Sequence, residues 1–154
     1  MRKFAIPVLL IASATSAAAA DLTVSQCMLV SRGLSALDGV GATLEQAPPP
    51  GARQYNLGSL RWTVAKNQAQ LQPVIDSFQK ARGALLREVS GGSDPKPGTP
   101  EYDRLIARLQ EILDKPCDVA LARIPLASLK LGDEAGQNQI PPSVLAALAP
   151  IVDP

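Results

Sequence analysis

The residue types that most often perform enzyme chemistry are scarce in this chain of 154 residues, which contains no histidine. Histidine is the commonest general base and the commonest metal ligand in proteins. Its absence excludes Ser/His/Asp triads and Cys/His pairs as catalytic arrangements. The sequence therefore predicts no nucleophile activated by an imidazole and no metal site.

Paired carboxylates are the remaining route to acid–base catalysis, because two of them suffice in glycosidases. Asp103 and Glu111 have the spacing of solvated positions on the outer face of a predicted helix, and Asp114 and Asp118 flank its end. We interpret the carboxylates as surface charge and predict that the chain is not an enzyme and needs no cofactor. The candidates considered are Asp103, Glu111, Asp114, Asp118, Asp133 and Glu134.

Cys27 and Cys117 are the only thiols in the chain. In an oxidising compartment an even pair is a candidate disulfide. Such a bond would close a loop of about 90 residues and stabilise the fold by roughly 4 to 5 kcal/mol on the chain-entropy model. The alternative is two buried thiols that behave as small hydrophobic side chains. The sequence leaves both open, because it does not give the distance between the two Cα atoms.

The compartment is indicated by the first twenty residues. Arg2 and Lys3 precede an apolar run over residues 4–17, and three small residues, 18–20, stand before Asp21. This is the layout of a secretory signal peptide. We predict a leader over residues 1–20 with cleavage near Ala20, a single domain over residues 21–154, and a periplasmic or secreted location. The alternative is an apolar N-terminal helix of a cytosolic protein.

Charge gives no reason to expect nucleic acid as a partner. The whole chain has 15 basic and 14 acidic residues. Two of the basic residues lie in the leader, so the mature domain is close to neutral and slightly acidic. Nucleic-acid binding and attraction to an anionic membrane both depend on a basic surface. The leader is too short to remain as a stable membrane span, and none is expected after cleavage.

Hydrophobic periodicity and caps predict a mainly α fold. Helices are expected over residues 24–37, 57–89 and 100–115, with Pro73 kinking or restarting the second. The second and third, joined by the Gly-rich residues 90–98, should form an antiparallel hairpin. A short extended segment over residues 117–131 and a short C-terminal helix over residues 144–149 complete the domain.

The central helix contains a heptad-like apolar seam whose middle is Leu60, Val64, Asn67 and Leu71. Asn67 occupies a position where the seam favours an apolar residue, which suggests a polar contact with a partner or a slight rotation of the seam. The third helix is about half as long, so part of the seam must be covered by the first helix, the C-terminal segment or a second copy. A homodimer is one of these solutions.

Several ordered segments together resemble a family of small helical proteins, without assigned activity, from tailed bacteriophages and prophages. They are DLTVSQCMLVSRGLSALDGV, YNLGSLRWTVAKNQAQLQPVIDSFQKARGALLRE, EYDRLIARLQEILDKPCDVALARIPLASL and IPPSVLAALAPIVDP. The resemblance implies a phage-derived accessory protein with no catalytic residue. The leader departs from the family pattern, and so does Cys117, where an acidic residue is common.

These observations predict a non-enzymatic, exported, phage-derived accessory protein that acts by protein–protein interaction in the cell envelope. The protein partner is not identified by the sequence. The alternative function is a structural or assembly component of the tail region of a phage particle, which the resemblance favours and the leader disfavours.

Overall fold

A computed structural model of the chain describes residues 17–19, 21–38, 55–132 and 134–154. Within these residues the chain forms four α-helices: α1 (Val24–Asp38), α2 (Leu60–Ser90), α3 (Pro100–Leu113) and α4 (Pro142–Leu148). The short strands are β1 (Ala17–Ala19), β2 (Leu22–Thr23), β3 (Pro116–Cys117), β4 (Ala120–Ala122), β5 (Ile124–Pro125) and β6 (Val152–Asp153). The predicted mainly α fold is confirmed, with the hairpin, the extended segment and the short C-terminal helix in the expected order.

Helix α1 begins at a reciprocal cap. The Gln26 N–H donates to Thr23 Oγ1 over 3.3 Å, and the Thr23 N–H donates to the side-chain oxygen of Gln26 over 2.9 Å. Two N–H groups that lack intrahelical partners are satisfied in this way. The buried positions then recur at helical spacing, at Cys27, Val30, Gly33, Leu34 and Leu37.

Gly33 permits a close approach between α1 and α4. A Cβ atom at this position would lie 2.9 Å from Leu148 Cγ and 3.2 Å from Ala147 Cβ, closer than side chains normally pack. The sequence marks Gly33 only as a weak point in a helix, since glycine costs up to about 1 kcal/mol relative to alanine. The close packing of α4 therefore accounts for a glycine at this position of α1.

Helix α2 runs without a break from Leu60 to Ser90, and Pro73 lies inside it on the exposed side. Of the two outcomes predicted for Pro73, a restarted helix does not occur. The helix ends at Gly91, whose φ of 68° is the left-handed conformation that glycine adopts without strain. The N–H groups of Gly91 and Gly92 donate to carbonyl groups of the last turn.

Helix α3 follows the predicted start signals but buries less than its stripe suggests. The Tyr102 N–H donates to Thr99 Oγ1, Pro100 occupies the first turn, and the helix ends at Leu113. Leu105 is its only buried residue, and Ile106 is 46% exposed. Part of the apolar stripe of α3 therefore stays accessible to solvent in the hairpin.

Two regions can be distinguished from this burial. We call residues 73–113, which comprise the second part of α2, the loop after it and α3, the arm. The remaining described residues form the body. The strands belong to the body, where β1 pairs antiparallel with β4, β2 antiparallel with β3, and β5 parallel with β6. The core of the body contains Leu22, Cys27, Val30, Leu34, Leu37, Leu57, Leu60, Val64, Leu71, Val119, Leu121, Ile124, Leu129, Ile140, Leu148 and Ile151.

Candidate functional site

Every described carboxylate that was interpreted as surface charge is exposed. Glu111 lies 3.6 Å from Arg108 on the same helix, a surface pair of a kind that contributes little to stability. Asp133 lies outside the described residues. No group of three or more potential metal ligands occurs in the part of the chain that the structure describes. The remaining five candidates are all exposed: Asp103, Glu111, Asp114, Asp118 and Glu134.

Cys27 and Cys117 are brought together at the junction of the body and the arm. Their sulfur atoms lie at disulfide distance, and their Cα atoms lie 7.6 Å apart. Cys27 is fully buried, and Cys117 pairs across the β2–β3 ladder with Leu22. The Val24 N–H donates to the Lys115 carbonyl over 2.9 Å at the same place. The start of α1 is thus tied to the chain that leaves α3 by main-chain bonds as well as by the sulfur pair.

The seam predicted on the central helix is closed within the chain. Leu60, Val64, Asn67 and Leu71 are all buried. The three apolar residues belong to the same core as residues of α1, β4 and α4. In this arrangement none of the four side chains forms a surface on which a partner or a second copy could dock. Of the solutions considered for covering the seam, the chain uses its own first helix and C-terminal segments.

Asn67 holds the backbone of β4 on one side. Its Nδ2 donates to the Ala122 carbonyl over 2.9 Å, and the Ala122 N–H donates to Asn67 Oδ1 over 2.8 Å. The carboxamide thus makes the two bonds that a neighbouring strand would make. Because the side chain is fully buried, losing either bond would leave a polar group without a partner. The polar residue in the seam therefore binds the chain itself, 55 residues further on.

Strand β1 covers the other edge of β4. The register places Ala18 opposite Leu121, with Ala17 opposite Ala122. In a strand, the N–H and C=O groups of successive residues point alternately to opposite sides. The N–H and C=O of Ala122 both point to Asn67, so the N–H and C=O of Leu121 both point to β1. The strand β4 is consequently bound by a side chain on one edge and by a main chain on the other.

A second buried asparagine was not singled out in the sequence. Asn138 is 4% exposed, its Nδ2 donates to the carbonyls of Asn56 and Leu129, and its Oδ1 accepts from the Asn56 N–H over 2.7 Å. It fixes the entry to α2 against the turn after β5. A lone polar residue in a loop-like run of sequence carries no periodic signal, so sequence reasoning had no means of finding it.

Two largely apolar clefts lie where the arm meets α1, and Phe78 is in the walls of both. The first encloses about 480 Å³ and reaches Cys117. The second encloses about 530 Å³ between α1, α2 and α3. Its walls include Leu29, which is 50% exposed, and Leu109. Apolar side chains make up most of the lining of both clefts, and charged side chains also take part, Lys115 in the first and Arg32 and Arg82 in the second.

Residues 1–16 and 20 of the predicted leader lie outside the described residues. Among the helices that the structure describes, none is both long and apolar enough to cross a membrane. Comparisons with protein-family models, with curated proteins and with solved structures gave no match.

Proposed function

We propose that the protein is exported, has no enzymatic activity and acts by binding another protein in the cell envelope. The observation that carries the proposal is the pair Cys27 and Cys117, which lies at disulfide distance in a chain that begins with a signal-peptide layout. Disulfides persist in the periplasm and outside the cell, whereas cytosolic thiols are kept reduced. The leader and the cysteine pair are independent observations, and each supports a location in the periplasm or outside the cell.

The described surface supports binding rather than catalysis. Leu29 and Ile106 are about half exposed, and Leu29 shares a cleft with Leu109 and Leu113. Ile106 lies one helical turn before Leu109, so these side chains form an apolar strip across α1 and α3. Apolar patches that stay exposed on a folded protein commonly mark interaction sites. The exposed carboxylates offer no comparable support for acid–base chemistry.

The resemblance to proteins of tailed phages and prophages supports a phage-derived origin and suggests the competing function, a part of the phage particle. The two functions differ in where the protein is found. A structural component co-purifies with particles, whereas an envelope protein remains with the host cell. Mass spectrometry of purified particles should therefore lack peptides of this chain, and their recovery in stoichiometric amounts would favour the particle.

The export proposal is tested by fractionating cells and trapping thiols with a maleimide that shifts gel mobility. The chain should be found in the envelope extract, shorter than its precursor and unreactive until it is reduced. Leu10→Arg interrupts the apolar run of the leader and should leave a full-length cytoplasmic chain with two reactive thiols. Leu10→Ile keeps the run apolar and should behave as the unaltered chain does.

Two results would overturn the proposal. One is an unaltered chain that stays full-length in the cytoplasm. The other is an exported chain whose two cysteines react with the maleimide without prior reduction, because the cysteine pair would then not be bonded in the compartment that favours the bond.

A further inference from the structure

Strand β1 lies inside the segment that export is proposed to remove. Cleavage near Ala20 separates Ala17–Ala19 from the domain, so the exported chain keeps β4 but loses the strand that pairs with it. A strand edge without a neighbour presents unpaired N–H and C=O groups that readily accept another extended chain. The processed protein therefore differs from the full chain at one edge of β4.

The groups that cleavage uncovers belong to Leu121. Its N–H and C=O point toward β1, because Ala122 uses both of its own groups on Asn67. The side chain of Leu121 is 1% exposed and lies in the core of the body. The backbone of this residue is thus fixed in place by its own side chain while its polar groups face the vacated edge.

The edge keeps its shape without β1. Asn67 holds Ala122 from α2, and Arg123 Nη1 donates to the Pro150 carbonyl over 3.0 Å. Ile124 pairs with Val152 in the next ladder. These contacts come from elements that remain after cleavage. A docking edge that is already ordered costs little conformational entropy on binding, which favours affinity.

We propose that in the exported chain the open edge of β4 binds an extended segment of a partner protein, antiparallel to β4 and with small side chains. The inference rests on the proposed export and specifies the partner's chemistry. The segment seated there in the full chain is Ala-Ala-Ala, in register with the Ala-Leu-Ala of β4. Main-chain bonds supply the affinity of such strand addition, and side-chain size supplies the selectivity.

The test uses the processed protein isolated from the cell envelope and the capped peptide Ac-SATSAAAA-amide, which copies residues 13–20. Hydrogen exchange of single amides is followed by NMR. Without peptide, the Leu121 amide should exchange fast and the Ala122 amide, held by Asn67, slowly. At a peptide concentration ten times the dissociation constant, exchange at Leu121 should slow about tenfold, because only the free form exchanges there.

A control peptide carries the equivalent of Ala18→Pro. Ala18 is the residue opposite Leu121, and proline has no N–H to donate across the ladder. This peptide should leave exchange at Leu121 unchanged at the same concentration. Equal protection by both peptides would overturn the proposal, since binding would then not be strand addition.

Three other outcomes contradict the proposal. Slow exchange at Leu121 before any peptide is added would mean that another part of the chain covers the edge, and a concentration-dependent dimer in which Leu121 is protected would assign the edge to a second copy. A mature N-terminus upstream of Ala17 would mean that β1 is retained. The proposed export fails separately, by an uncleaved chain in the cytoplasm, so the two failures are distinguishable.

Discussion

The body and the arm have similar hydrophobic patterns in the sequence but are buried to different extents. Val30, Leu34, Val64 and Leu71 in the body have no exposed surface. The best-buried residues of the arm, Leu105, Leu85 and Phe78, keep 5–8% exposure, and they lie outside the main core. The difference arises because the part of the α2 stripe that lies in the body packs against both α1 and β4. Helix α3 packs against α2 only farther along the length of α2. The apolar stripe in a sequence predicts which face of a helix is apolar. How deeply that face is buried depends on how many other elements pack against it.

The largest effect is expected from the cysteine pair, whose two members both lie in the body, beside the end of the arm. Replacing both cysteines by alanine should lower the free energy of unfolding by up to about 4 to 5 kcal/mol, because the unfolded chain regains the freedom of a long loop. Chemical denaturation of the oxidised unaltered protein and of the double variant measures the loss. A reducing agent should destabilise the unaltered protein and leave the double variant unchanged, and equal responses of the two would contradict a bond between the cysteines.

Truncating one leucine in each region should reveal the difference in packing between the body and the arm. Leu71→Ala in the body should cost about 3 kcal/mol, because it leaves a cavity in a fully buried site. Leu109→Ala in the arm should cost about 1 kcal/mol, because that side chain is only half-buried and loses less contact with its surroundings. The shift of the urea midpoint at unchanged slope gives both values. Equal losses would mean that the arm is packed as tightly as the body.

Removing the side-chain clamp on β4 should destabilise the body by about 2 to 4 kcal/mol. Asn67→Ala leaves the N–H and C=O of Ala122 without partners, each at a cost of about 1–3 kcal/mol when buried. Lys66→Ala alters the neighbouring exposed position and serves as the control. Thermal and urea denaturation should separate the two variants. An Asn67 variant as stable as the Lys66 variant would show that the two bonds are not made.

Two helical glycines should respond with opposite signs. Gly33→Ala in the body should destabilise by about 1–3 kcal/mol, because its Cβ would collide with Leu148 of α4. Gly83→Ala in the arm has nothing within 4 Å of the added Cβ and should stabilise α2 by up to about 1 kcal/mol. Urea midpoints of the pair measure the difference. A stabilising change at Gly33 would contradict the close packing of α1 and α4.

The sequence predicts local features of the molecule better than its long-range ones. The start of α3 follows from Thr99 and Pro100, and its stripe is visible in the spacing of its leucines. The partner of Asn67 lies on β4, 55 residues away, and no periodicity encodes a contact at that separation. The roles of Gly33 and Asn138 likewise depend on elements distant in the chain. Gly33 packs against α4, and Asn138 binds the backbone at the entry to α2.

The candidate site was predictable in its residues but not in its arrangement. Cys27 and Cys117 were identified as a pair because they are the only cysteines, whereas their proximity depends on how α1 packs beside the end of α3. The seam residues were identified by spacing, whereas their burial depends on α1 and β4. The edge of β4 could not be foreseen, because its neighbour β1 lies in a segment that the sequence marks as a leader.

The intact mass of the protein from the cell envelope shows both whether the domain is exported and whether the cysteine pair is bonded. We expect a chain that begins at Asp21 and gains the mass of the two thiol hydrogens on reduction. After reduction, alkylation should add two groups. A full-length chain that is alkylated at both cysteines without reduction would contradict export and the bond, and would make phage-particle assembly the function to pursue.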